Sequence, residues 1–166
     1  MSFIQQDLIP SHRDISIRRL GVRDVGTITK HILDNEAPVL GLSLALCPKD
    51  GKVDVVAFAT STHIFQVSLG QTTPGTCNND LAQLLSSARS QLSAFDMARL
   101  ALHLYKQWGL RVRGVDLSIL FSASIDTPAE LVSTRLSPNA NQHRIHSLWY
   151  NDEPKNVCLR AWISAL

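Results

Sequence analysis

Val39-Leu40-Gly41-Leu42-Ser43-Leu44-Ala45-Leu46-Cys47 is the stretch that decides the fold. It is apolar almost throughout, the look of a central strand buried on both faces. Lys49-Asp50-Gly51-Lys52 follows as a hairpin turn,. Val53–Thr60 and His63–Ser68 read as two more strands,. Upstream, Ile15–Leu20 alternates Ile15 and Ile17 with Ser16 and Arg18, the pattern of an edge strand. Val22, Val25, Ile28, Ile32 and Leu33 recur at a helical period over Val22–Asn35, and Pro38 stops that helix,.

Downstream, Gly70–Asn79 reads as a loop and Asp80–Ser90 as a helix with Leu81, Leu84 and Leu85 on one side. Gln91–Phe95 is a short strand. Asp96 stands at a helix N-cap, with Leu100, Leu104 and Trp108 at helical spacing and Gly109 as the stop,. Val112–Leu117 is another short strand. From Ser118 the chain is helical and irregular, closing on an apolar helix over Asn156–Ala165. The pattern predicts an α/β domain, a mixed sheet flanked by helices, over 15–166, preceded by a flexible N-terminal arm over 1–14.

Composition narrows the class. A chain of 166 residues suits one domain,. Hydrophobic residues at 45% and charged residues at 18% argue against disorder,. A net charge of +2 is too small to announce a nucleic-acid binder,. Cys47, Cys77 and Cys158 form no Cys-x-x-Cys pair, so neither a disulfide framework nor a zinc knuckle is indicated,. A reducing compartment, nuclear or cytoplasmic, is the natural expectation. Met1–Pro10 lacks the apolar core of a signal peptide, and no run approaches the roughly 20 apolar residues of a membrane span,.

Four landmarks, in order, resemble the 3′–5′ exonuclease domain of the Werner and exosome-associated nuclease type, which has a ribonuclease-H-like fold. The family's first strand reads V-x-G-F-D-x-E, and here Gly41 and the apolar frame match, with Ser43 at the aspartate and Ala45 at the glutamate. His63–Ser68 and Leu81–Leu85 fit the strand and helix that follow. Trp108-Gly109-Leu110-Arg111-Val112-Arg113-Gly114-Val115-Asp116 fits the tail of the second motif, which puts Leu100 at its aspartate. In the last helix, Asn156 stands at the tyrosine and Arg160 at the aspartate. The resemblance covers Ile15 to the C-terminus and implies a catalytically degenerate member.

Two-metal hydrolysis of a phosphodiester needs hard oxygen ligands around two divalent cations. Ser43, Ala45, Leu100 and Arg160 bring no negative charge, and Arg160 brings a permanent positive one. Neither a metal site nor a cofactor is therefore expected. A register slip of one helical turn would place Asp96 at the second-motif aspartate, though N-cap is the reading favoured for it. Asp116 is expected to cap the segment that follows it. His143-x-x-His146 has no third ligand and reads as a solvated polar turn. Ser43 lacks a Gly-x-Ser-x-Gly elbow, and Gly109–Gly114 lacks the Lys and Ser/Thr of a phosphate loop.

Arginine recurs at Arg18, Arg19, Arg23, Arg111, Arg113, Arg135, Arg144 and Arg160. Arg111, Arg113, Arg144 and Arg160 are the nucleic-acid-binding candidates. Solvated charge or internal ion pairing is the competing reading. Three functions follow. The first is a protein-interaction adaptor in a nucleic-acid-processing or gene-silencing complex, with a protein partner or a homo-oligomer and at most weak nucleic-acid affinity. The second is a direct RNA or DNA binder using the dead cleft. The third is an active exonuclease with displaced metal ligands. The apolar final helix is a candidate contact with another chain.

Overall fold

Alternate residues of the Val39–Leu46 strand enter two different cores, which is why the run is apolar throughout. Leu40, Leu42 and Leu44 join one buried cluster, while Ala45 joins the other. Gly41 faces Ala161 on that second side.

The computed structural model describes residues 2–4, 8–9, 15–34, 39–69, 79–86, 91–120, 128–135 and 138–166. Its strands are β1 (Ser2–Ile4), β2 (Ile15–Gly21), β3 (Val39–Leu46), β4 (Val53–Ala59), β5 (His63–Ser68), β6 (Gln91–Ala94) and β7 (Gly114–Asp116). Its helices are α1 (Gly26–Asp34), α2 (Asn79–Ser86), α3 (Met97–Trp108), α4 (Leu117–Leu120), α5 (Pro128–Arg135), α6 (Gln142–Ser147) and α7 (Pro154–Ala165). The sheet order is β1-β2-β5-β4-β3-β6-β7. β3, β4 and β5 form an antiparallel meander. β2 joins β5 in parallel, and β6 and β7 extend the other side of β3 in parallel.

The two cores make three layers. On one face Ile28, Leu81, Leu84, Leu100 and Leu104 bring in α1, α2 and α3. On the other, Val132, Ile145, Val157 and Trp162 bring in α5, α6 and α7. The meander starts at the predicted turn. Gly51 takes φ +66°, the Gly51 N–H donates to the Cys47 carbonyl at 2.9 Å, and the Cys47 N–H donates to the Lys52 carbonyl at 2.7 Å. At the end of α3, Gly109 takes φ +69° and returns its N–H to the Tyr105 carbonyl at 2.8 Å,.

Four expectations change. Within the segment read as an arm, Ser2–Ile4 pairs antiparallel with β2, and Leu8 and Ile9 are buried. Leu8 and Ile9 thus enter the core on the α7 side of the sheet, and Ser2–Ile4 belongs to the sheet. β2 is consequently internal, between β1 and β5. Asp96 precedes α3, but its backbone is left-handed (φ +57°) and its side chain makes no capping bond; its carboxylate accepts from Arg99 Nε instead. The apolar residues of α7 are buried against the chain's own sheet, so the helix is spent within the molecule. The expected Asp116 cap is present: the Ser118 N–H donates to Asp116 Oδ1 at 2.9 Å. Pro38, Cys77 and the segments 70–78 and 87–90 lie outside the described residues.

Candidate active-site cleft

The cleft is built by one close approach. A Cβ on Gly41 would stand 1.8 Å from the Ala161 carbonyl oxygen, so only glycine lets α7 lie this near β3. Strand alternation puts Ser43 on the same face as Gly41. Arg160, next to Ala161, is thereby brought to β3. Ser43, Leu100 and Arg160 line one cleft, with Arg99, Trp149 and Ser164 among its other walls. Three positions widely separated in sequence thus meet as the resemblance implies. Ala45 is buried in the same layer and Asn156 lies at the start of α7, but neither lines the cleft. Asn156 Nδ2 donates to the Asn151 carbonyl at 3.3 Å.

Arg160 dominates the cleft. Its side chain is only 7% exposed. Nη2 donates to Asp152 Oδ1 at 2.7 Å and to the Leu44 carbonyl at 3.0 Å. The other Asp152 oxygen, Oδ2, accepts from the Leu46 N–H at 3.3 Å. One carboxylate therefore ties the α7 guanidinium to the backbone of β3. Asp152 is 40% exposed, so the pair is buried on one side and wet on the other. Arg160 Nε is buried and has no hydrogen-bond partner among the described residues. Ser164 Oγ donates to the Arg160 carbonyl at 2.9 Å, and Ser93 Oγ donates to the Ser164 carbonyl, which stitches α7 to β6.

The space left is about 20 Å³, little more than the roughly 10–15 Å³ one water requires. Arg99 and Asp152 were not singled out from the sequence. For Arg99 the available signal was its spacing of three residues from Asp96 on a helix. Asp152 sits in the loop ahead of α7, where no periodicity marks it.

The remaining candidates do not converge here. Arg111 and Arg113 are exposed ahead of β7, and Arg144 is half-buried in α6 with its N–H on Asn141 Oδ1. None of the three lines the cleft. His143 and His146 are exposed, and His146 Nε2 lies 3.2 Å from the Tyr150 hydroxyl. Among the described residues no group of three or more His, Cys, Asp or Glu is placed to hold a metal. Elsewhere, His63 packs edge-on against His31 with ring centroids 4.5 Å apart. Burial, then the charges of His31 and Arg18, lower its pKa from the usual 6.5.

No family model and no curated protein matches the chain. Solved structures do. The EXD2 exonuclease domain soaked in Mn is 19% identical, with a TM-score of 0.56, and the match covers 74% of this chain and 64% of that one. The EXD2 exonuclease domain soaked in Mg is 19% identical at a TM-score of 0.53, covering 80% and 66%. For the domain soaked in Mn and Mg, the match spans 58% of its length and 64% of this chain, at 19% identity and a TM-score of 0.54. At these identities the likeness carries the fold alone: an α/β mixed sheet flanked by helices, similar to that of the EXD2 exonuclease domain.

Proposed function

We propose that this chain is a non-catalytic relative of 3′–5′ exonuclease domains that works by binding another protein, within a complex that processes or silences nucleic acid. The observation that carries the reading is the Arg160–Asp152 pair in the cleft. A cleft of this fold that cuts phosphodiesters holds divalent cations on carboxylate oxygens. The residues present do not fit that role. Ser43 offers one neutral hydroxyl, Leu100 offers nothing, and Arg160 sets a guanidinium there that repels a second cation,. Asp152, the nearby carboxylate, is already engaged by Arg160 and by the Leu46 N–H.

The same geometry weighs against a nucleic acid bound in the cleft. Arg160 faces Asp152 rather than solvent, and its charge is matched within the chain. Arg99, the other cation of the cleft, is paired with Asp96. Exposed apolar side chains favour protein contacts. Leu102 and Tyr105 stand about half exposed on the outer face of α3, three residues apart and so on one side of the helix,. No described helix is long and apolar enough to cross a membrane.

The test is a titration of labelled single-stranded RNA and DNA at about 150 mM salt, where the screening length is about 8 Å. Weak binding, unaffected by Arg160→Ala or by Arg111→Ala with Arg113→Ala, is the expected result. Sub-micromolar binding lost in those variants would promote the nucleic-acid binder instead.

A further inference from the structure

We infer that the cleft is a cation site filled from within: the Leu44 carbonyl and the Asp152 carboxylate are its oxygen ligands, and the Arg160 guanidinium is its resident cation. The inference rests on the non-catalytic reading and names the cation that the cleft holds.

The site is made by an interrupted edge of β3. β6 pairs with β3 only from Val39 to Gly41. The Leu44 carbonyl and the Leu46 N–H lie beyond that pairing, and a strand interior needs partners for both. Arg160 and Asp152 supply them. Arg160 Nη2 donates to the Leu44 carbonyl at 3.0 Å, and Asp152 Oδ2 accepts from the Leu46 N–H at 3.3 Å. The carboxylate is thereby anchored on the strand that carries the carbonyl. The docking of α7 on Gly41 sets the guanidinium against both oxygens.

The distances define the occupant. Arg160 Nη2 stands 2.7 Å from Asp152 Oδ1 and 3.0 Å from the Leu44 oxygen. A carboxylate and a backbone carbonyl are oxygens of the kind that hold hard cations. Here both lie at hydrogen-bond length, longer than the roughly 2.0–2.6 Å that Mg²⁺ or Ca²⁺ takes. The spacing selects a cation that carries N–H donors, and a guanidinium offers two of them from this one nitrogen.

The site is closed on the cation side and open on the carboxylate side. The Arg160 side chain is 7% exposed, whereas Asp152 is 40% exposed. Without the Arg160 side chain, the two oxygens would face a space that solutes reach past Asp152. Arg99, the other cation lining the cleft, is paired with Asp96 and does not compete for them.

The test removes the resident cation and offers a free one. Arg160→Ala, made in the full chain, is followed by urea denaturation with and without methylguanidinium chloride, sodium chloride at equal ionic strength being the control. The salt should raise the folding equilibrium constant of the variant about tenfold, the gain from a ligand at roughly ten times its dissociation constant. Wild type should gain nothing, because its site is full, and Asp152→Asn added to Arg160→Ala should abolish the gain. Where Arg160→Ala does not fold alone, the same salt should restore its circular dichroism. Absence of rescue, an equal gain in wild type, or a rescue that survives Asp152→Asn overturns the inference. Stabilisation of Arg160→Ala by Mn²⁺ at lower concentration than methylguanidinium also overturns it, by making the two oxygens a metal site. The readout is stability, so a missing rescue leaves the non-catalytic reading standing, while cleavage by wild type would sink that reading whatever the rescue shows.

Discussion

Removing the Asp152 carboxylate should destabilise the fold by about 2 kcal/mol. The magnitude follows from the asymmetry of the pair. The Arg160 side chain is 7% exposed and its Nε has no partner among the described residues. Breaking a fully buried pair by deleting one partner costs about 3–5 kcal/mol, because an unmatched charge stays behind. Asp152 is 40% exposed, so water enters beside the guanidinium and part of that cost is recovered,. The Leu46 N–H also loses its acceptor. For a chain of this size about 2 kcal/mol lowers Tm by about 4–8 °C. Urea denaturation of wild type, Asp152→Ala, Arg160→Met and the double variant is the assay. Arg160→Met removes the charge with its pair and should cost less than Asp152→Ala, since an apolar group of similar volume replaces a buried ion pair with little loss. Adding Arg160→Met to Asp152→Ala should restore much of the lost stability. An Asp152→Ala effect within about 0.5 kcal/mol, the size of an ordinary surface substitution, would mean that Asp152 does not hold the Arg160 charge in the fold.

Gly41→Ala should abolish soluble expression or cost more than about 4 kcal/mol, since its Cβ would collide with the backbone of α7 at Ala161 and Ala165,; circular dichroism and expression yield check it. Stability should also fall on acidification through His63. Its folded-state pKa is lowered by burial, so the unfolded chain binds the proton more readily,. The contribution is complete above about pH 6.5, the unfolded value, and is lost as pH falls below it. Melts across that window should show a slope that His63→Phe flattens.

Legibility in the sequence followed locality. The two-sided burial of β3 was written in its apolar run, and the turn to β4 in Gly51. The end of α3 was written in Gly109. Each is decided by residues within a few positions of one another. β2 was misjudged as an edge because its neighbours, β1 and β5, are chosen by tertiary packing that leaves no local pattern. Asp96 carries a residue type suited to capping, yet its left-handed backbone and the bond to Arg99 take the carboxylate elsewhere,. In the cleft, the meeting of Ser43, Leu100 and Arg160 was readable through the motif frame. The partner of Arg160 was not, since Asp152 lies in an irregular loop and reaches the guanidinium only once α7 has docked on Gly41.

On the proposed function, this cleft should not cut nucleic acid. Its most direct test is incubation of end-labelled single-stranded and duplex RNA and DNA with excess protein, in Mg²⁺ and in Mn²⁺, resolved at nucleotide length. Every substrate should stay full length in both metals. Metal-dependent 3′ shortening that co-elutes with the protein and disappears in Asp152→Asn would contradict it, by making that carboxylate a metal ligand rather than the partner of Arg160.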